Sequence, residues 1–260
     1  MTDAVLYELN DRIATITLNR PETRNALSDD VVPALIAQLE RAEADSQVSC
    51  IILTGAGTSF SSGGNLKEIR AMTQEKKLSV HGIRNWYLDC IQQIPRAMAK
   101  LTVPVICAVN GHAIGAGCDL TMMCDIRIAS EKAVFAESFM RVGLIPGDGG
   151  AWLLPRAIGR SRAAEMAYTG RTIDAAKALG LVIEVAGRPI GRDVRRLQIG
   201  LAVFDDDVGI LQLNTVFPNR FHFTAKKLKP RLQRVDHSVV NPRLTFLGHE
   251  FHGLPRTGFS

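Results

Sequence analysis

The chain has 260 residues, of which 46% are hydrophobic and 22% are charged. This composition is typical of a globular protein, and it excludes wholesale disorder and collagen-like repeats. No apolar stretch reaches the roughly 18 residues that a membrane-spanning helix needs, and the N terminus lacks the features of a secretory signal. We therefore expect a cytoplasmic protein with no membrane partner.

The net charge of +5 is unevenly distributed along the chain. Residues 1–185 contain 19 Lys and Arg against 20 Asp and Glu, whereas residues 186–260 contain 12 against 6. This change predicts a folded core over 1–185 and a divergent basic segment over 186–260, whose frequent prolines argue against long helices. A divergent extension and an altered reading frame both explain the segment. Its basic and aromatic residues leave RNA binding open, but without a recognisable RNA-binding motif we expect no nucleic-acid partner.

The five cysteines indicate reduced thiols rather than a disulfide framework. Their number is odd, and each lies in an apolar run, as core thiols do. None shows the paired CxxC spacing of zinc sites, so we expect no metal. They are Cys50, Cys90, Cys107, Cys118 and Cys124.

A strand and a helix are predicted near the N terminus. Apolar and polar residues alternate over residues 13–18, which is the pattern of a half-buried strand. Ser28 is placed to cap the helix that follows, and Pro33 would fall in the first turn, where proline is tolerated. The apolar stripe of this helix consists of Val31, Leu35 and Leu39.

Two continuous apolar runs, over residues 50–55 and 103–109, predict strands that are buried on both faces of a parallel sheet. Pro104 must then occupy the start of its strand. A long helical region lies between the two runs and ends near Pro95, with Ile83, Tyr87, Ile91 and Ile94 on one stripe. Strands that alternate with helices predict an α/β layered fold.

Glycine-rich turns follow both buried strands, at residues 60–67 and 110–120. Glycine lets backbone N–H groups approach a ligand closely, and N–H groups at the start of a helix favour negative charge. Two such groups can converge on one oxyanion. The alternative is that these glycines only allow tight turns and close packing. Neither turn fits the dinucleotide or P-loop pattern of phosphate binding.

Five collinear motifs between about residue 5 and residue 185 resemble the crotonase superfamily, which contains the enoyl-CoA hydratases and isomerases. They are NRP with NAL at 19–21 and 25–27, FSSGGNL at 60–66, the stretch from NG to Asp at 110–119, CDIRIA at 124–129, and GLIPGDGG at 143–150.

The resemblance implies a spiral of ββα units that binds an acyl-CoA thioester, followed here by an atypical C-terminal segment. It assigns the two N–H groups of an oxyanion hole to Gly64 and Ala116. It also implies that coenzyme A is bound by Asn25, Ala26 and Leu27 and by Gly64, Asn65, Leu66 and Lys67. Coenzyme A is part of the substrate, so no separate cofactor is expected.

The acid and base residues depart from the hydratase pattern, which uses two glutamates. Asp119 stands at the first glutamate position, and Phe139, which cannot transfer a proton, stands at the second. Asp148, in the glycine-rich turn at residues 147–150, and Glu137, two residues out of register, are available instead. We assign Asp119 and Asp148 as catalytic. The alternatives are that Asp148 is a turn or helix-cap residue and that Asp119 only complements a helix dipole.

The sequence therefore predicts an acyl-CoA enzyme of enoyl-CoA hydratase/isomerase type, with a role in fatty acid metabolism, that stabilises a thioester enolate. The alternatives are an isomerase or thioester hydrolase that uses Asp119 and Asp148, and a catalytically silent protein that binds acyl-CoA or RNA. The resemblance also implies a homotrimer or hexamer, where the C-terminal segment permits one.

Overall fold

The computed structural model describes residues 3–179 and, beyond them, only the backbone of four strands between residues 184 and 227. The helices are α1 (Val31–Ala44), α2 (Leu66–Arg70), α3 (Val80–Asp89), α4 (Gln93–Met98), α5 (Ala116–Met123), α6 (Gly150–Ile158), α7 (Arg160–Thr169) and α8 (Ala175–Ala178). The strands of residues 3–185 are β1 (Val5–Asn10), β2 (Ile13–Leu18), β3 (Cys50–Gly55), β4 (Ser59–Ser61), β5 (Val105–Val109), β6 (His112–Ile114), β7 (Ile126–Ala129), β8 (Val134–Ala136), β9 (Thr172–Asp174) and β10 (Glu184–Val185).

The larger sheet has the strand order β1-β2-β3-β5-β7-β10. Its β1 and β2 form an antiparallel hairpin, and the other neighbouring strands run parallel. The predictions of a strand at residues 13–18 and of buried strands in the two apolar runs are confirmed. Pro104 directly precedes β5, so its missing N–H costs the strand no hydrogen bond.

A two-residue turn closes the β1–β2 hairpin. Asp11 and Arg12 have φ angles of 46° and 66°, and positive φ at both central residues is the geometry that suits the twist of a tight hairpin. The Arg12 side chain also donates a hydrogen bond to the Ser49 hydroxyl, 2.9 Å away. The turn therefore fixes the register of β1 and connects it to the segment before β3.

The smaller sheet, of order β4-β6-β8-β9, explains the position of the glycine turns. Three times, a strand of the larger sheet is followed by a strand of the smaller sheet and then by a helix: β3–β4–α2, β5–β6–α5 and β7–β8–α6. This repetition of ββα units confirms the predicted crotonase-like α/β fold. Each glycine turn lies where a short strand of the smaller sheet meets the start of a helix.

The hydrophobic core fills both faces of the larger sheet. Val31, Leu35 and Leu39 of α1 are fully buried with the side chains of β2 and β3 that point to the same face. A second cluster covers the opposite face, and its buried members are Ile13, Cys50, Ile52, Ile106, Ala108 and Ile128. Burial on both faces accounts for the continuous apolar runs.

Two helix predictions need correction. The first helix starts at Val31, and its N-cap residue is Asp30 rather than Ser28, because the Ser28 hydroxyl bonds to the Asp30 carboxylate instead. The long helical region is divided into α3 and α4 at Cys90, whose φ and ψ are −115° and −104°. Pro95 lies in the first turn of α4, where proline needs no hydrogen-bond acceptor, rather than beyond the end of a helix.

The basic segment contributes three described strands, β11 (Gln198–Phe204), β12 (Asp207–Val216) and β13 (Arg220–Lys227), which form an antiparallel sheet of their own. The rest of residues 186–260 lies outside the described residues, so the domain boundary at residue 185 stays a prediction. None of the described helices is both long and apolar enough to cross a membrane.

Candidate active site

The two glycine turns pack directly against each other. Leu27 forms a parallel bridge with Gly64, and the Leu27 N–H donates to the Gly63 carbonyl at 2.8 Å. Gly63 has a φ of +85°, and a Cβ on it would collide with the Ile114 carbonyl oxygen and lie 3.2 Å from the Ala116 nitrogen. Only glycine permits this approach, which brings the first turn against the start of α5.

Two backbone N–H groups at this junction have no acceptor among the described residues. Ala116 is the first residue of α5, and the first hydrogen bond of that helix runs from the Asp119 N–H to the Gly115 carbonyl. The Ala116 N–H is therefore one of the unpaired N–H groups at the start of a helix. The Gly64 N–H likewise donates to no described group. These are the two groups that the crotonase resemblance implies.

Of the predicted coenzyme A segment at residues 25–27, Asn25 is wholly engaged inside the protein. Its Oδ1 accepts from the Arg20 N–H at 2.9 Å, and its Nδ2 donates to the carbonyls of Ala56 at 2.9 Å and Ser59 at 2.8 Å. Ala26 and Leu27 are also buried. The Asn25 side chain therefore holds the loop in shape beneath the first glycine turn.

We expect Asn25→Ala to lower the free energy of unfolding by about 3 kcal/mol, because unpaired buried hydrogen-bonding groups cost roughly 1–3 kcal/mol each. Urea denaturation measures the change. Asn65→Ala is the control, since the partly exposed Asn65 side chain caps α2 through its bond with the Lys67 N–H and otherwise donates only to Glu68, and a lost cap costs about 1 kcal/mol. Equal losses in the two variants would contradict the structural role of Asn25.

The second predicted binding segment lies at the surface beside the Gly64 N–H. Asn65 is the N-cap of α2, and its Nδ2 donates to Glu68 at 2.9 Å. Leu66 is 55% exposed, and the Lys67 side chain is also exposed. An apolar and a cationic side chain are thus available to a ligand at this edge of the site.

Three carboxyl groups are buried together next to the start of α5. Asp119, Glu137 and Asp148 are 0%, 1% and 4% exposed. The Asp119 carboxyl lies within hydrogen-bond reach of both the others. Both oxygens of Asp119 and of Glu137, and one oxygen of Asp148, have no other hydrogen-bond partner among the described residues. Buried charges without partners are costly, which makes this cluster a candidate for chemistry rather than for stability.

Each carboxyl is positioned by a different part of the ββα repeat. Asp119 follows Ala116 by three residues in α5, so the two share one face of the helix. Glu137 directly follows β8, whose last carbonyl accepts from the Gly115 N–H at 2.7 Å. Asp148 precedes α6, and α6 begins so close to Asp119 that a Cβ at Gly150 would collide with its carboxyl group.

Burial raises the pKa of all three carboxyl groups. The pKa of Glu137 rises to about 6. That of Asp119 rises further above its usual range, because the charges of Asp148 and Glu137 add to the effect of burial. A hydrogen bond from Asp119 opposes the rise at the other two. The Asp119 carboxyl group therefore keeps its proton to a higher pH than a solvated aspartic acid does.

Glu137 should make the protein less stable as the pH rises. Its pKa is near 4.5 when solvated and about 6 in the fold, so between these values the folded chain binds more protons and loses stability with rising pH. Across this interval the free energy of unfolding of the Glu137→Gln variant should rise by about 2 kcal/mol relative to that of the wild type. Urea denaturation at a series of pH values measures the difference, and a difference that does not vary with pH would contradict the prediction.

Phe139 lies at the position for which the hydratase pattern has a second glutamate. Its ring approaches Gly115, where a Cβ would lie 3.8 Å from the ring Cζ. The neighbouring residue is Ala116, so an apolar ring stands close to one of the two unpaired N–H groups. Phe139 can exclude water there, but it cannot supply a proton.

The structure bears on the alternatives that the sequence left open for the carboxyl residues, and it excludes one of them. The N-cap residue of α6 is Gly149, and the cap involves no side-chain hydrogen bond, so Asp148 is not a helix cap. Asp119 lies in the first turn of α5, so a helix-dipole role stays open beside a catalytic one. Glu137, which stands two residues before the second glutamate position of the hydratase pattern, belongs to the buried carboxyl cluster.

Tyr87 is a neighbour of the cluster for which the sequence gives no signal beyond helical periodicity. It lies in α3, and its ring would be 3.6 Å from a Cβ at Gly147. Burial and the Asp148 charge raise its pKa. The adjoining Gln92 side chain donates to the Gly147 carbonyl at 2.8 Å. The segment that follows α2 therefore supports the turn that carries Asp148.

All five cysteines are free, as predicted. Among the described residues, no group of three or more His, Cys, Asp or Glu side chains is arranged to hold a metal ion.

Comparison with known proteins identifies the family. Residues 8–190 match the family model described as enoyl-CoA hydratase/isomerase. The chain belongs to the enoyl-CoA hydratase/isomerase family. The crotonase resemblance of the five sequence motifs is thereby confirmed.

Curated members of the enoyl-CoA hydratase/isomerase family include proteins named as hydratases and proteins named as isomerases. A probable mitochondrial enoyl-CoA hydratase of Dictyostelium discoideum is 39% identical over 180 residues, which cover 68% of this chain and 62% of that protein. The 1,2-epoxyphenylacetyl-CoA isomerase of Escherichia coli is 38% identical over 182 residues, covering 68% and 67%. The chain thus spans less than two thirds of the length of the first relative.

Solved structures of the enoyl-CoA hydratase/isomerase family share the fold. The crystal structure of an enoyl-CoA hydratase from Mycobacterium tuberculosis H37Rv is 38% identical, with a TM-score of 0.60, and the match covers 70% of this chain and 74% of that one. A hydratase/isomerase structure from Mycobacterium abscessus is 33% identical, with a TM-score of 0.66 and 72% coverage of both chains.

Proposed function

We propose that this protein is an acyl-CoA enzyme of hydratase/isomerase type, which stabilises a thioester enolate between the N–H groups of Gly64 and Ala116. The observation that carries the proposal is the buried cluster of Asp119, Glu137 and Asp148 one helical turn from the Ala116 N–H. Proton-transferring groups beside two unpaired N–H groups are what enolate chemistry requires.

The oxyanion hole is supported by the approach of the two glycine turns. When a thioester loses an α-proton, or takes up a nucleophile at its β-carbon, negative charge develops on the carbonyl oxygen. Preorganised N–H donors aimed at that oxygen stabilise this charge more than the ground state, and removing one donor typically costs about 10²–10³ in rate. The position of Ala116 at the start of α5 adds the helix dipole.

Hydration needs both a base and an acid, and the Asp119–Asp148 pair with one shared proton can serve as both. Asp148 takes a proton from water as the water oxygen bonds to the β-carbon, and the electron pair of the double bond moves to the thioester oxygen. The enolate then takes a proton on its α-carbon from the pair. The pair gains one proton and loses one, so it returns to its starting state.

Double-bond isomerisation is a second candidate, and Phe139 favours it. An apolar ring in place of a water-activating glutamate makes the site less suited to holding a reactive water. Asp148 would then take the α-proton of a 3-enoyl thioester, and the dienolate would be protonated at its γ-carbon. The same pair could instead activate water against the thioester carbonyl, which is the hydrolase alternative.

The proposal also covers how the substrate is bound, how the chain assembles and where it is located. The segments at 25–27 and 64–67 would hold coenzyme A, with the exposed Lys67 close enough to the solvent edge to meet a phosphate. No cofactor beyond the coenzyme A of the substrate is required by this chemistry. A homotrimer or hexamer in the cytoplasm remains our expectation for the full chain.

Incubation of the full chain with a short 2-enoyl-CoA and with a 3-enoyl-CoA tests the function. Hydration removes the ultraviolet absorbance of the conjugated thioester, whereas isomerisation of the 3-enoyl substrate creates it. Release of free coenzyme A reports thioester hydrolysis. Calorimetric binding of a non-reactive acyl-CoA without any of these reactions would favour the silent binding protein.

A further inference from the structure

We propose that Gly150 is a positioning residue of the Asp119–Asp148 pair, because the space left by its absent side chain holds the Asp119 carboxyl group beside Asp148. This inference rests on the proposed function, since it concerns how the two carboxyl groups of that chemistry are kept together. Gly150 is the first residue of α6 and is buried. It has no side chain to offer a substrate, so any effect on the reaction must pass through a neighbour.

The backbone gives no reason for a glycine at residue 150. The adjacent Gly149 has a φ of +113°, a conformation that favours glycine, whereas Gly150 is not among the residues with positive φ. Gly150 belongs to the first turn of α6, and alanine is a better helix former than glycine. The local conformation would therefore favour alanine, and the reason for the glycine lies outside its own helix.

The Asp119 carboxyl group fills the space beside Gly150. A Cβ on Gly150 would lie 1.9 Å from Asp119 Oδ1 and 2.2 Å from both Cγ and Oδ2, and these are the three nearest atoms. Distances below 3.0 Å are essentially never found around a real Cβ. Any larger residue at position 150 would thus require the volume that the carboxyl group occupies.

Shape rather than hydrogen bonding holds the Asp119 carboxyl group in place. Its side chain is 0% exposed, and neither of its oxygens has a donor among the described residues. The segment that leads into α6 supplies both Asp148 and, two residues later, the space beside Gly150. One short stretch of chain therefore carries one carboxyl group of the pair and sets the position of the other.

Gly150→Ala should lower kcat by about 10²-fold, since a misplacement of about 1 Å in a catalytic group can cost that much. The added methyl group forces the Asp119 carboxyl group to move by roughly that distance before the contact becomes permissible. KM should stay within a few-fold of the wild type. Gly82→Ala is the matched control, because the new Cβ in the first turn of α3 would lie at least 3.4 Å from its neighbours.

Asp119→Asn provides a background in which a positioning role and a general packing defect give different results. If Gly150 acts through Asp119, adding Gly150→Ala to Asp119→Asn should lower kcat little further, because the group that it positions is already inactive. A packing defect that is independent of Asp119 would lower kcat by the same factor in both backgrounds.

Urea denaturation provides a readout that does not need turnover. Gly150→Ala should lower the urea midpoint of the wild type, where the methyl group meets the carboxyl group. The same substitution should raise the midpoint of Asp119→Ala, where the carboxyl group is gone and the helix preference of alanine remains. If Gly150→Ala alone does not fold, folding of the double variant Asp119→Ala/Gly150→Ala supports the inference in the same way.

The outcomes separate the inference from the proposed function. An inactive wild type whose urea midpoints show the reversal of sign would sink the enzyme assignment and leave Gly150 as the residue that seats Asp119. A midpoint lowered equally in both backgrounds would overturn the inference. So would an unchanged kcat in Gly150→Ala, or a double variant that fails to fold while Asp119→Ala folds.

Discussion

Replacement of Asp148 by asparagine is expected to lower kcat by about 10²–10⁴-fold, which is the usual contribution of a general acid or base. The amide has nearly the same shape as the carboxyl group, and Asp148 takes part in no helix cap, so the fold should persist. Binding of an acyl-CoA should change little, because the proposed binding segments lie elsewhere. The loss should therefore appear in kcat rather than in KM.

Steady-state kinetics on the enoyl-CoA substrate that the wild type converts measures the effect of Asp148→Asn. Asp11→Asn is the control, since it makes the same chemical change in the exposed hairpin turn, where asparagine suits the positive φ. A kcat of Asp148→Asn within a few-fold of the wild type would remove Asp148 from the mechanism. In that case Asp119 alone would have to handle the proton.

Ala116→Pro is expected to lower kcat/KM by about 10²–10³-fold, since it removes one N–H group from the proposed oxyanion hole. Proline is tolerated at the first position of a helix, where the N–H has no intrahelical partner. Ala116 occupies that position in α5. The substitution thus removes the donor with little cost to the helix.

Ala116→Ser is the matched control because it keeps the backbone N–H and adds only one oxygen to the side chain. Circular dichroism and thermal unfolding establish whether both variants remain folded. Near-wild-type turnover of a folded Ala116→Pro variant would show that this N–H does not contact the developing charge. A loss of equal size in both variants would indicate a packing defect instead.

The strands of the larger sheet could be predicted from sequence because their burial leaves a direct pattern. Residues 50–53 are apolar without interruption, and in the structure both faces of β3 are covered. Helix ends were harder to predict. Ser28 has the chemistry of an N-cap, but Asp30 competes for its hydroxyl, and the division at Cys90 leaves the apolar stripe intact on both sides.

The glycine turns were also predictable, because close backbone approach restricts the residue type. Only part of the carboxyl cluster could be predicted from the sequence. Asp119 and Asp148 stand in recognisable motifs, whereas Glu137 enters the cluster through the path of the chain after β8. Tyr87 comes from a separate helix, and only the tertiary fold brings it to Gly147.

The first turn of α5 bears both Ala116, with its unpaired N–H, and Asp119. Under the proposed function, the charge-stabilising N–H group and a proton-transferring carboxyl group therefore belong to one helical turn, and the geometry of the helix sets their mutual spacing.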